Sequence, residues 1–157
     1  MKKEDAPSYR SLAFKARPRV MVVEARFYDD IGDMLMQGAV KVFEAQGADY
    51  ESFTVPGALE IPAAVEFGLK AGRFDAFLAL GCVIRGATTH YEIVSGESAR
   101  ALMDMTVRHG LCLGNGILTV ENMEQAIERA DPTQMDKGGG AAQTALEMLA
   151  LKQSLGV

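Results

Sequence analysis

Short runs of β-branched and apolar residues alternate along this chain with longer stretches in which apolar residues recur every three or four positions. Residues 19–24, Arg-Val-Met-Val-Val-Glu behind Pro18, predict a buried strand, because branched side chains pack well on a pleated surface. Asp29 and Asp30 then offer a helix cap, and Ile31, Met34, Leu35, Ala39, Val42 and Phe43 follow at helical spacing until Gly47 supplies a stop. Residues 50–55 predict a second strand and Pro56-Gly57 a turn. A helix over residues 59–70 tolerates Pro62 only in its first turn, and Gly72 closes it. The third strand covers residues 75–82 or 75–84, followed by a polar loop over 85–90 and a helix from about residue 91 to 109, stopped by Gly110. Residues 111–120 give a fourth strand, 121–130 a helix, Asp131-Pro132 a break, and 141–155 a last helix.

Strands that alternate with helices and are apolar throughout predict a parallel sheet covered on both faces. The expected fold is therefore α/β, three layers α/β/α around a four-stranded parallel sheet. Residues 1–18 read as an N-terminal arm lying outside the core, suited to docking on another subunit, and residues 19–157 as a single α/β domain.

Composition narrows the function. Of 157 residues, 48% are hydrophobic and 24% charged, enough to bury a core. A net charge of -5, from 21 acidic against 16 basic residues, argues against a nucleic-acid or anionic-membrane surface and for small-molecule or protein partners. The first ten residues lack the apolar segment of a signal peptide, and the longest nearly apolar stretch, residues 74–84, falls well short of the roughly 20 residues of a membrane span. A soluble, cytoplasmic protein is expected. Cys82 and Cys112 lie far apart in apolar runs with no metal-ligand spacing, so they read as reduced core thiols, and no metal site is expected.

In open parallel sheets ligands bind outside the carboxyl ends of the strands. Those ends are expected at Ala25-Arg26-Phe27-Tyr28, Pro56-Gly57-Ala58-Leu59-Glu60, residues 83–90 and Gly114-Asn115-Gly116. Thr89-His90-Tyr91-Glu92 fits a capping box, with Thr89 as N-cap, His90 at the first helical position and Glu92 as the reciprocal partner. Gly86, Ala87 and Thr88 can turn N–H groups and a hydroxyl toward an anion at that helix start, so a phosphate fits there. His90 beside it suits general acid and base work. The local pattern alone equally fits an incidental surface histidine and a Phe27 packed in the core, and it favours a Glu60 that only serves its helix dipole over one that contacts a ligand. Arg85 reads as a partner in a surface ion pair. Lys137-Gly138-Gly139-Gly140 resembles part of a phosphate loop, but the full GxxxxGK[ST] pattern is missing.

Three segments are similar to one known family. They are Val-Ile-Arg-Gly-Ala-Thr-Thr-His over residues 83–90, Pro-Gly-Ala-Leu-Glu-Ile-Pro over 56–62, and Leu-Thr-Val-Glu-Asn over 118–122 with Glu-Gln-Ala-Ile-Glu-Arg-Ala over 124–130. Together they resemble the 6,7-dimethyl-8-ribityllumazine synthase family, in order from about residue 19 to 151. The resemblance implies a flavodoxin-like sheet between helices. It also implies condensation of 5-amino-6-(D-ribitylamino)uracil with 3,4-dihydroxy-2-butanone 4-phosphate, giving the lumazine, phosphate and water as the penultimate step of riboflavin synthesis. No metal or redox cofactor is implied.

By the same resemblance Phe27 stacks on the pyrimidine, Ala58, Leu59 and Glu60 contact the ribityl chain, and Cys82, Val83 and Ile84 meet the uracil edge. Gly86, Ala87 and Thr88 bind the phosphate with Arg129 reaching it, His90 moves protons, and Lys137 lies near the ribityl chain. Asn115 takes a position often held by an aromatic residue; it cannot stack with the same area but can hydrogen-bond. The implied partner is the chain itself, a homopentamer with sites shared between adjacent subunits, in some members twelve pentamers forming a shell.

Overall fold

A computed structural model describes residues 6–157. Residues 1–5 of the expected arm lie outside the described residues. Four strands, β1 (Arg19–Ala25), β2 (Asp49–Val55), β3 (Ala76–Ile84) and β4 (Leu113–Val120), form one parallel sheet in the order β2-β1-β3-β4. Between and after them run α1 (Asp29–Gln46), α2 (Ile61–Ala71), α3 (His90–His109), α4 (Met123–Ala130) and α5 (Lys137–Leu155), with a 3₁₀ turn over Ala58–Glu60. Helices α1, α4 and α5 cover one face and α2 and α3 the other, the three layers expected.

The apolar runs of β1 and β3 follow from their central positions. In β1, Val20 and Val22 enter the core under α1 and α5, while Met21 and Val23 enter the opposite core under α2. Phe77 and Ala79 of β3 alternate in the same way with Leu78 and Leu80. Strand β2 departs from the expectation of strands apolar throughout. Its sequence Asp-Tyr-Glu-Ser-Phe-Thr-Val is largely exposed because it is an edge strand, where one flank meets water. Gly47, Gly72 and Gly110 take the left-handed conformation that ends α1, α2 and α3, as expected of helix-stopping glycines.

Two of the helix starts that differ from expectation have a clear cause. Tyr28 occupies the N-cap of α1, and Asp29 and Asp30 fall in the first turn, where they suit the helix dipole without capping. Arg26 explains this, since its Nε donates to Asp29 Oδ1 at 3.1 Å. Helix α5 starts at Lys137, four residues before the expected 141. Asp136, in the left-handed region at φ 48°, accepts from the Gly139 N–H through Oδ1 at 3.2 Å and so starts the helix ahead of three glycines.

Those glycines permit close approach. A Cβ on Gly138 would lie 2.1 Å from the Leu35 carbonyl oxygen of α1, and one on Gly139 would lie 2.2 Å from Asp136 Oδ2. On the far side of α5, a Cβ on Gly114 of β4 would lie 1.9 Å from the Ala141 carbonyl oxygen. The run that resembled a phosphate loop is thus the packing face of a helix wedged between α1 and the sheet.

The arm also behaves differently from a segment outside the core. Tyr9, Leu12 and Phe14 pack against the core beneath α1 and α5. The Tyr9 hydroxyl donates to Asp136 Oδ2 at 3.0 Å, Gln46 Nε2 donates to the Arg10 carbonyl at 2.8 Å, and Gln46 Oε1 accepts from the Leu12 N–H at 3.0 Å. Burial pushes the Asp136 carboxyl above its usual range, against the opposing pull of the Tyr9 and Gly139 donors and of Lys41.

The glycine run gives a contrast within three residues. Gly138→Ala should lower stability by about 3 kcal/mol, since the new methyl meets rigid backbone. Gly140→Ala meets only Tyr9 Oη at 3.6 Å and should gain about 0.5–1 kcal/mol from helix propensity. Urea denaturation of both variants checks this, and equal midpoints would contradict the close packing of α5.

Candidate active site

The strand order dictates where a pocket opens. From β1 the chain passes through α1 to β2 on one side, then returns through α2, past β1, to β3 on the other. Connections therefore leave the carboxyl ends of β1 and β3 toward opposite faces, and a crevice forms between them. Ala25 and Phe27 flank it from β1, and Cys82, Val83 and Ile84 end β3 across from them.

Phe27 is 78% exposed, which removes the core reading of this residue. Its ring touches that of Tyr28 edge-on, with centroids 4.9 Å apart. The 3₁₀ turn after β2 packs on α3, so Leu59 and Glu60 stand exposed beside the helix that His90 starts, while Ala58 is buried under them.

The loop between β3 and α3 is exposed from Arg85 to His90. His90 is the first residue of α3, as expected, but the capping box does not form. Thr89 makes no side-chain cap, and Glu92 instead pairs with Arg85. The reason is tertiary: Arg85 leaves β3 pointing at this turn, stacks over the Tyr91 ring at 4.2 Å, and also donates to Glu121 Oε2 at 2.7 Å. The guanidinium beside it holds the Glu92 carboxyl below its usual range. Arg85 is thus the surface ion-pair residue expected, its charge met by two carboxylates.

What remains for an anion is backbone. The N–H groups of Gly86, Ala87, Thr88 and Thr89 have no acceptor among the described residues, and a Cβ on Gly86 would meet nothing within 4 Å. Thr88 Oγ1 accepts from the His90 N–H at 3.4 Å. The His90 imidazole makes no hydrogen bond or ion pair with the described residues. The arrangement can receive a phosphate on N–H groups at a helix start, with a proton-transfer group next to it.

Asn115, Arg129 and Lys137 stand elsewhere. They line a separate cleft of about 780 Å³ along the outer edge of β4, between α3 and α5. Gly114-Asn115-Gly116, expected at a strand end, lies near the beginning of β4. The glycines mark close approach: a Cβ on Gly116 would lie 2.7 Å from Leu80 Cδ2 and 3.0 Å from the Ala79 carbonyl oxygen. Asn115 Oδ1 accepts from the Ile117 N–H at 3.0 Å, and Arg129 donates to the Gln125 carbonyl at 3.1 Å. The chain therefore brings together Phe27, Ala58–Glu60, Cys82–Ile84 and Gly86–His90 as one group, and Asn115, Arg129 and Lys137 as another.

Comparison with known proteins identifies the family. A 6,7-dimethyl-8-ribityllumazine synthase family model matches residues 17–153. The chain belongs to the 6,7-dimethyl-8-ribityllumazine synthase family. The 6,7-dimethyl-8-ribityllumazine synthase of Methylorubrum populi is 58% identical over 97% of this chain and 94% of its own length. That of Sphingopyxis alaskensis is 57% identical over 88% of this chain and 97% of its own, and 6,7-dimethyl-8-ribityllumazine synthase 1 of Rhizobium meliloti 55% over 90% and 97%. The protein is accordingly a condensing enzyme of riboflavin biosynthesis acting on small molecules. No helix among the described residues is long and apolar enough to cross a membrane.

Both cysteines are free thiols, and neither suits nucleophilic chemistry. Burial pushes Cys82 up to about 11 and raises Cys112 as well. At pH 8 only about one Cys82 in a thousand is thiolate. A disulfide-exchange reagent at that pH should therefore label the native protein at least about a hundredfold more slowly than the unfolded chain, which should release both thiols promptly. Fast labelling of native Cys82 would contradict the raised thiol pKa expected of its half-buried place near the end of β3.

Proposed function

We propose that each active site is built by two copies of the chain, the β1/β3 crevice of one subunit facing the β4 cleft of its neighbour. There 5-amino-6-(D-ribitylamino)uracil and 3,4-dihydroxy-2-butanone 4-phosphate condense to 6,7-dimethyl-8-ribityllumazine, phosphate and water. The observation that carries this reading is the position of Asn115. It precedes the end of β4 by five residues, about 16 Å along a strand, too far to join Phe27 and His90 in the same subunit. Helix α3 supports it further. Only Ser98 and Leu102 of its 20 residues are buried, while Ile93, Met103 and Val107 are exposed, as in a helix awaiting a partner.

In this reading residues 19–157 form the working domain of a cytoplasmic homopentamer. The aminouracil ring lies on Phe27, its edge read by the backbone of Cys82, Val83 and Ile84. The ribityl chain runs along Ala58, Leu59 and Glu60 toward Lys137 of the neighbour. Asn115 of the neighbour, its Oδ1 engaged by Ile117, offers its NH₂ to the ring in place of stacking area. The phosphate sits on the N–H groups of Gly86, Ala87 and Thr88. Arg85 is already engaged by two carboxylates, Glu92 and Glu121, whereas Arg129 meets only Glu128 at 3.8 Å, so Arg129 of the neighbour supplies positive charge.

The substrate amine is the nucleophile, and phosphate leaves readily once the imine has formed. The protein's share is alignment of the two substrates and proton transfer through His90 during imine formation, phosphate loss and ring closure.

His90→Ala should slow lumazine formation about a hundredfold without abolishing it, followed by lumazine absorbance and phosphate release. Unchanged turnover would remove His90 from this role. Shared sites make a second test available. Arg129→Ala and His90→Ala subunits, each impaired alone, should regain activity when assembled together, because about a quarter of randomly mixed sites are then intact. Mixed assemblies with only the average of the two parents' activities would refute a site divided between subunits.

A further inference from the structure

We propose that Arg26 is a positioning residue for the aminouracil, locking the turn between β1 and α1 so that the Phe27 ring is presented at a set angle. This rests on the reading of Phe27 as the platform for that ring. Phe27 follows the last residue of β1 by two and is almost bare, its ring touching only the edge of the Tyr28 ring among the aromatic contacts, so little around the ring itself holds it. Its neighbours in sequence do. Tyr28 packs against the core under α1, and its carbonyl accepts from the Gly32 N–H at 2.9 Å.

Arg26, on the other side, is gripped by three residues on two elements. Its Nη1 donates to Glu24 Oε1 of β1 at 2.9 Å, its Nε to Asp29 Oδ1 at 3.1 Å and its Nη2 to the Asp29 carbonyl at 3.1 Å, and Nη2 also pairs with Asp33 of α1. Glu24 is 7% exposed, and its second oxygen accepts from Ser52 of β2. The guanidinium therefore ties the strand before Phe27 to the helix after it. Gly32 leaves room for this: a Cβ there would lie 2.9 Å from Arg26 Nη1 and 3.0 Å from its Cζ.

Exposed carboxylates such as Asp29 and Asp33 ordinarily contribute little as ion-pair partners. Here they complete a planar fork whose third partner is a buried carboxylate, and a fork of fixed geometry orients as well as attracts. A lysine in place of Arg26 has three donors on one atom and could not span Glu24, Asp29 and Asp33 in a fixed plane. The substrate phosphate is bound by a different loop, so the clamp should act on one substrate and not the other.

The test uses the assembled enzyme. The chain has no tryptophan, so Phe27→Trp provides a single reporter of ring mobility. Three variants loosen the clamp: Gly32→Ala, which displaces the guanidinium with every charge retained; Asp33→Asn, which removes an exposed partner only; and Arg26→Gln with Glu24→Gln, which leaves no buried carboxylate unpaired. Each should raise the KM for the aminouracil about three- to tenfold, the range of a weakened aromatic contact, with the KM for the butanone phosphate unchanged. In the Phe27→Trp chain each should speed the anisotropy decay, and in a Phe27→Ala chain none should raise KM further. If Phe27→Ala raises the aminouracil KM while the clamp variants change neither KM nor anisotropy, Arg26 does not position the ring. If both KM values move together, its role is general stability and the proposal fails. If Phe27→Ala leaves the aminouracil KM unaltered, the platform reading fails and takes the proposal with it.

Discussion

A parallel sheet cannot be closed by hairpins, and that constraint organises this molecule. Every strand must be followed by a crossover that carries the chain from the carboxyl edge back to the amino edge, so every loop that leaves a strand end gathers on one side. The order β2-β1-β3-β4 then opens its crevice between β1 and β3, with the loop from β3 to α3 on one flank and Phe27 on the other. The same order leaves β2 and β4 with one unpaired flank each. At β4 that flank is the cleft lined by Asn115, Arg129 and Lys137.

Much of this was legible before any coordinates. The branched runs of β1 and β3 and the helical spacing of α1 are governed by burial on the chain's own sheet, and periodicity reports such burial directly. Misreadings arose where a tertiary partner overrode a local signal. Gly138-Gly139-Gly140 carries low helix propensity, yet Leu35 of α1 lies so close that only glycine fits at 138, and the Asp136 carboxylate that starts the helix fills the space beside 139. Thr89 and Glu92 have capping-box spacing, but Arg85 from the adjacent strand end claims the carboxylate. Gly114 and Gly116 look like punctuation and instead let Ala141 approach the strand.

The site divides in the same way. Phe27, Glu60 and residues 83–90 could be found from the rule of carboxyl ends, because that rule needs one chain only. Nothing in spacing or composition connects Arg129 or Lys137 with His90, since in one chain they face different spaces; the resemblance to relatives supplied that link. Arg26 escaped notice because a charged residue in a loop is usually solvated, and its convergence with Glu24 and Ser52 exists only once β1 and β2 pair.

Electrostatics in this acidic protein are local. A net charge of -5 coexists with a loop whose N–H groups at a helix start favour an anion, because such groups add no formal charge. The bare ring of Phe27 has a thermodynamic consequence of its own. An aromatic face exposed to water is dehydrated when a flat ligand covers it, so binding of any such ligand should carry a negative heat-capacity change and grow more exothermic on warming.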